Sequence, residues 1–310
     1  MALLFYSLSD SQPDWTSAIA KVMPGERLRI WPDVGPLDDI EFAIVWKPPP
    51  GLLASLPNLK GILSLGAGID HLVSDPQLPR HLPLVRLIDP SLTAQMSEYV
   101  VMNVLRHHRF MPQYARQQAA LLWQPILPPP LTAERRVGVM GLGVLGRDAL
   151  AKLAPFGFQL RGWSRTAHNI PSVACFHGAS GLSDFLAGCD ILVCLLPLST
   201  ETRGILDAKR LALLPEGACL INAARGAHVI ATDLIAALDS GQLAATTLDV
   251  FDSEPLPADH PMWRHPAVTI TPHAAGWTIP ETAAGLMAAS IAAIREGRKP
   301  VGLVDLSVGY

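Results

Sequence analysis

Charge is scarce in this chain. Asp, Glu, Lys and Arg make up 16% of 310 residues, and 24 basic against 27 acidic side chains leave a net charge of −3. No basic block stands out, so neither nucleic acid nor an anionic membrane is expected as the main partner. Long apolar runs are also missing. At 49% hydrophobic the chain still has no stretch near the roughly 18–20 residues of a membrane span, so no membrane partner is expected. Residues 1–6 carry neither a basic region nor a cleavage site and read as a first strand, which makes a cytoplasmic location the expectation. Only four cysteines occur, Cys175, Cys189, Cys194 and Cys219, with no Cys-x-x-Cys pair; they read as reduced core thiols. The histidines show no metal-ligand spacing, so no metal site is expected. One further absence is local: residues 149–183 contain no Asp or Glu at all.

What is present is an alternating α/β rhythm. Apolar runs of strand length lie at 2–6, 42–46, 61–65 and 84–88, with helical stretches around Ile19-Ala20 and 52–56. Pro48-Pro49-Pro50 ends the strand before it, because three missing N–H groups cannot feed a ladder. Residues 91–108 predict a long helix from Met96, Val100 and Val104 at four-residue spacing. A stiff connector, 125–130, leads to a second α/β section. Its strands are expected at 137–140, 159–163, 191–196, 218–222, 245–250 and 268–271, with helices at 144–154, 208–214 and 232–240. A last helix at 281–296 returns the chain to the first section.

The second section opens on Val137-Gly138-Val139-Met140-Gly141-Leu142-Gly143-Val144-Leu145-Gly146. A strand, Gly-x-Gly-x-x-Gly and a helix in that order form a dinucleotide-binding turn, in which amides at the helix start face a pyrophosphate. NAD sites place an acid about 20 residues on, against the ribose 2′-OH. Here Trp163-Ser164-Arg165-Thr166 occupies that place, with Ser164 18 residues past Gly146. Arg165 suits a 2′-phosphate and Ser164 and Thr166 can donate to it, so NADP is the preferred cofactor and NAD remains possible. The alternative is that Arg165 is only a solvated loop residue.

Three charged residues follow three strands: Arg225 after Ala223-Ala224, Glu254 in Asp249-Val250-Phe251-Asp252-Ser253-Glu254-Pro255, and His273 in Thr271-Pro272-His273-Ala274-Ala275-Gly276. Ligands of open α/β sheets lie at such carboxyl ends. With Leu195-Leu196-Pro197-Leu198-Ser199-Thr200-Glu201-Thr202, these stretches resemble the D-isomer-specific 2-hydroxyacid dehydrogenases. The resemblance is greatest to their glyoxylate/hydroxypyruvate reductase A group, through Trp163-Ser164-Arg165-Thr166, Leu256-Pro257 and the ending Val304-Asp305…Gly309-Tyr310.

That resemblance implies two doubly wound parallel-sheet domains, a flavodoxin-like substrate domain (1–95 and 281–310) and a Rossmann cofactor domain (96–280), with a cleft between them. It implies His273 as general acid, Glu254 on its other ring nitrogen, and Arg225 on the substrate carboxylate. Hydride attack on a carbonyl creates an alkoxide that needs a proton and a positive neighbour, which those residue types supply. Leu196, Pro197, Thr202, Ala223, Ala224 and Asp249 are then cofactor-side residues, and Ala275-Gly276 approach the nicotinamide amide. Leu65-Gly66-Ala67-Gly68 clamps the substrate carboxylate through backbone N–H groups, or is a plain tight turn. Trp46 either walls the substrate pocket or packs in the core. The implied reaction is NADPH-dependent reduction of small 2-oxo acids, glyoxylate to glycolate and hydroxypyruvate to D-glycerate, by a homodimer paired through 91–130. A bulkier 2-oxo acid, or a non-catalytic dinucleotide sensor of the same fold, are the alternatives.

Overall fold

The computed structural model describes residues 2–8, 12–128 and 130–306; Met1, Pro129 of the proline connector and the Gly309-Tyr310 ending lie outside the described residues. Contacts divide the chain into two units, residues 1–92 with 277–310, and residues 93–276. Among the described residues the strands are β1 (Ala2–Ser7), β2 (Arg27–Ile30), β3 (Ile40–Trp46), β4 (Gly61–Ser64), β5 (Leu84–Val85), β6 (Arg136–Met140), β7 (Gln159–Ser164), β8 (Val173–His177), β9 (Ile191–Cys194), β10 (Ala218–Asn222), β11 (Leu243–Leu248) and β12 (Val268–Ile270). The helices are α1 (Gln12–Val22), α2 (Asp70–Val73), α3 (Pro90–His108), α4 (Met111–Ala119), α5 (Val144–Leu153), α6 (Gly178–Ala187), α7 (Ala208–Leu211), α8 (Ala231–Asp239) and α9 (Pro280–Arg295).

The first unit holds a parallel sheet in the order β2-β1-β3-β4-β5, the flavodoxin-like arrangement. Its central strands are mostly apolar because both faces are covered. Ala2, Leu4, Ala43 and Val45 point to the side of Leu52, Leu53 and Leu56. Leu3, Phe5, Phe42 and Ile44 point to the other side, against Trp15 and Ile19 of α1 and Ala284, Met287 and Ile291 of α9.

The second unit holds a seven-stranded parallel sheet, β12-β11-β10-β9-β6-β7-β8, doubly wound about β6. The order reverses between β6 and β9, and this switch point is where ligands of such sheets bind. Met96, Val100 and Val104 of α3 and Ala149, Leu150 and Leu153 of α5 cover one face with Val137 and Val139. The other face buries Met140 and Leu192 with Phe185, Leu186 and Leu234. Both sheets confirm the expected pair of doubly wound α/β folds.

Several elements differ from the sequence expectation. β2 and β8 are edge strands whose half-buried residues give no continuous apolar run. α4 is mostly polar, and α6 carries two glycines, which weakens helix propensity. Residues 52–56 form only a 3₁₀ turn, Leu53–Ser55. Ladder pairing of β5 stops at Val85, short of 88. The four cysteines are free, and burial pushes Cys189 and Cys194 to about 12 and Cys219 to about 11, which keeps them as inert thiols.

Candidate active site

β6 delivers the chain into the glycine turn beside the switch point. Gly141 has φ +103°, and a β-carbon there would lie 2.7 Å from the Leu195 carbonyl oxygen. Its N–H donates to Trp163 O at 2.8 Å. A β-carbon on Gly146 would meet Gly141 O at 1.8 Å, so α5 can seat against the turn only without a side chain. Gly143 has nothing within 4 Å of such an atom. It stands before α5 with no side-chain cap, below open space, where the amides of Val144 and Leu145 begin the helix. That open cradle fits a dinucleotide pyrophosphate, held by backbone donors and the helix dipole. Leu142 is buried, and its carbonyl accepts from Arg147 Nε at 2.9 Å.

The end of β7 sorts its residues by direction. The Trp163 ring is buried, with Nε1 donating to Gly178 O at 3.0 Å. Ser164 is also buried and donates to Thr166 O at 2.7 Å, which tightens the turn. Arg165 and Thr166 are exposed. Beside them, Arg147 Nη2 lies 2.7 Å from His168 Nδ1, a pairing across 21 residues that no sequence motif signals.

Leu196 is buried after β9. Thr202 folds back, donating to Pro197 O at 2.8 Å while its own oxygen accepts Ser199 N–H at 2.8 Å. The hydroxyl therefore shapes the 197–202 turn. After β10 come the buried Ala223 and Ala224, then the half-buried Arg225. Asn222, 1% exposed, holds this turn: Nδ2 donates to Arg225 O at 2.9 Å and Oδ1 accepts from Ala224 N at 3.2 Å. A β-carbon on Gly226 would sit 2.0 Å from the Phe251 carbonyl carbon, so the Arg225 turn rests directly on the backbone after β11. His228, fully buried, places Nδ1 3.1 Å from Arg225 O and Nε2 3.3 Å from Pro197 O, joining the two turns. Asn222, the last residue of an expected strand, and His228, expected to be solvated or packed, carry no expected role at the site. An Asn at a strand end is a recognisable turn former, whereas His228 carries no local signal.

The structure brings His273 and Glu254 together. His273 Nδ1 and Glu254 Oε2 are 2.9 Å apart, with side chains 35% and 23% exposed. Glu254 Oε1 accepts Phe251 N–H at 3.1 Å, which aims the carboxylate. An ionised carboxylate only accepts, so Nδ1 carries a hydrogen and Nε2 is the nitrogen that faces onward. His273 adopts φ +54°, a left-handed backbone that costs a residue with a β-carbon of order 1–3 kcal/mol. Asp249 is 1% exposed, and its carboxylate accepts from Thr271 Oγ1, Ala274 N and Ala275 N. Ala275 is buried beside the half-buried Gly276.

In the first unit, the Leu65-Gly66-Ala67-Gly68 turn follows β4. A β-carbon on Gly66 would lie 2.6 Å from the Trp46 ring, so glycine lets the indole lie against the turn. The ring of His71 is 4.4 Å from that of Trp46. Ser64 Oγ braces the turn from within, accepting Gly66 N–H and donating to Gly68 O, both at 3.3 Å. Among the described residues, no cluster of three His, Cys, Asp or Glu could hold a metal ion, and no helix is long and apolar enough to cross a membrane.

Residues 101–275 match the family model described as D-isomer specific 2-hydroxyacid dehydrogenase, NAD binding domain. The chain belongs to this family, and it is an NAD(P)-dependent oxidoreductase. Over its full length, and that of the relative, it is 44% identical to glyoxylate/hydroxypyruvate reductase A of Yersinia enterocolitica. It is similar to a D-isomer specific 2-hydroxyacid dehydrogenase from Xanthobacter autotrophicus Py2 solved with NADPH and MES: TM-score 0.95, 46% identity, covering 100% of this chain and 99% of that one. The NADPH-dependent glyoxylate/hydroxypyruvate reductase of Sinorhizobium meliloti, solved with NADP and sulfate, aligns at TM-score 0.92 and 37% identity, covering 100% and 99%.

Proposed function

We propose that this chain is an NADPH-dependent reductase of small 2-oxo acids, reducing glyoxylate to glycolate and hydroxypyruvate to D-glycerate. The observation that carries the reading is the His273–Glu254 contact, built on two loops that leave neighbouring strands of a dinucleotide-binding sheet. Relatives solved with NADPH or NADP support the cofactor, as does the stretch free of acids that holds the exposed Arg165.

Bound at the glycine turn, the cofactor supplies a hydride to the substrate carbonyl carbon. Arg225 grips the substrate carboxylate and polarises the carbonyl, a guanidinium being matched to a carboxylate by its paired donors. The backbone amides of the Leu65-Gly66-Ala67-Gly68 turn take the same carboxylate, and Trp46 limits the size of the substituent. His273 gives its Nε2 proton to the carbonyl oxygen, which completes the hydroxyl group. Glu254 balances the imidazolium beforehand and keeps Nδ1 protonated throughout. Partial exposure of His273 lets solvent return the proton. Residues 1–95 with 281–310 act as the substrate domain and 96–280 as the cofactor domain. Gly141, Gly143, Val144, Leu145 and Gly146 hold the pyrophosphate, while the exposed Arg165 and Thr166 hold the 2′-phosphate; the Ser164 hydroxyl, expected to join them, is spent on Thr166 O. The working form is a homodimer that covers the exposed Leu121, Trp123 and Leu127, and light scattering that gives a monomer would refute that part.

The test follows NADPH absorbance with glyoxylate, hydroxypyruvate and pyruvate, then repeats each with NADH. Turnover of the first two with NADPH supports the reading. Faster turnover with NADH overturns the cofactor choice. No turnover with any 2-oxo acid would leave a dinucleotide sensor as the better account.

A further inference from the structure

His273 sits in a left-handed backbone between Pro272 and Ala274, and Asp249 makes most of the contacts that hold this turn. Asp249 O accepts His273 N–H at 2.8 Å. Asp249 Oδ1 accepts Ala274 N–H at 2.8 Å and the Thr271 hydroxyl at 2.6 Å, and Oδ2 accepts Ala275 N–H at 3.0 Å. The buried carboxylate therefore grips the turn on both sides of the imidazole.

The grip extends further than the turn. A threonine hydroxyl has one proton, and Thr271 gives it to Asp249. Tyr99 Oη, 2.7 Å from Thr271 Oγ1, must then be the donor in that contact. Tyr99 belongs to α3 and is 8% exposed. Burial pushes its phenol to about 12, so the donor keeps its proton at physiological pH. α3 is fixed to the sheet by one more buried contact: His107 Nε2 lies 2.9 Å from Thr247 Oγ1 of β11.

We propose that Tyr99, Thr271 and Asp249 form a hydrogen-bond chain of fixed direction that positions the His273 ring for proton delivery, with α3 as its anchor. The three are positioning residues, and the inference rests on His273 being the acid. Asp249 then acts at the nicotinamide end of the site through the turn it shapes.

The experiment compares T271V, T271S and Y99F with the wild-type enzyme in two measurements. The first is amide hydrogen exchange of the 272–276 segment in the cofactor-free protein. The second is the split between kcat and the KM for NADPH. T271V should speed exchange and lower kcat about tenfold or more, with KM for NADPH changed less than about twofold. Y99F should do the same more weakly, by about three- to tenfold. T271S keeps the hydroxyl and should restore both readouts. Wild-type exchange in T271V and Y99F, or T271S as impaired as T271V, overturns the proposal. So does a raised KM for NADPH at constant kcat, which would place these groups on the cofactor itself. H273Q run alongside separates the two readings: near-normal turnover there removes His273 as the acid, whereas the exchange result stands on its own.

Discussion

Gly143 and Gly146 stand three residues apart in one motif, yet replacing each by alanine should break different properties. At Gly146 the new β-carbon would sit 1.8 Å from Gly141 O, a backbone atom that no rotamer change can move aside. Helix and turn must separate by about 1.2 Å, a packing cost of about 3 kcal/mol, partly offset by the roughly 1 kcal/mol that Ala gains over Gly within a helix. A net loss of about 2 kcal/mol in a unit of this size should lower Tm by about 4–8 °C. At Gly143 the β-carbon meets nothing within 4 Å, and φ −78° suits any residue. Losing a preferred cap is offset there by a less flexible unfolded chain, so stability should change by less than about 0.5 kcal/mol. The methyl group would instead stand where the pyrophosphate approaches. Losing one charge-assisted hydrogen bond, about 1.5–3 kcal/mol, should weaken NADPH binding about 10- to 100-fold. Calorimetry of the cofactor-free variants and a fluorescence titration with NADPH decide it. If G143A binds NADPH like the wild type, or melts as early as G146A, the account of the turn is wrong.

R165E should raise the KM for NADPH far more than that for NADH, by about 100-fold against less than about threefold, since it removes a guanidinium from a phosphate and adds repulsion; an equal rise in both would refute the 2′-phosphate assignment. H273Q should lower kcat about 10²- to 10⁴-fold in stopped-flow or steady-state assays. His107 gives an acid-stability prediction, because burial first and the nearby Arg106 second lower its pKa from 6.5 to about 4. Between those values the unfolded chain binds more protons, so this contribution is complete above about pH 6.5 and falls away towards pH 4, by about 3 kcal/mol in all. Urea midpoints at pH 7 and 4.5 should show H107N losing less stability on acidification than the wild type; equal losses would remove His107 as the cause.

The sheet strands buried on both faces were legible because a continuous apolar run such as Phe42–Trp46 needs no partner to be recognised. The edge strands β2 and β8 were not, since none of their side chains is fully buried. At the site, Gly141, Arg225, Glu254 and His273 could be named from their places after strands. Asn222, His228, Thr271 and Tyr99 could not be assigned roles. Their work is directed at main-chain atoms or at residues far along the chain, and Tyr99 and Thr271 stand 172 residues apart. Trp163 and Thr202 show the same limit from the other side. Both lie in the expected segments, but the Trp163 ring packs in the core and the Thr202 hydroxyl closes its own turn.

The grip of Asp249 on the N–H groups of Ala274 and Ala275 has a consequence for how this site tolerates mutation. An amide proton is indifferent to the side chain beside it, so the exposed position 274 should accept most amino acids in a saturation library, proline excepted. Position 249, one side chain answering to several amides, should accept almost none. Tolerance at this turn is thus set by which partner supplies the side chain, and two positions in direct contact should stand at opposite ends of the scale.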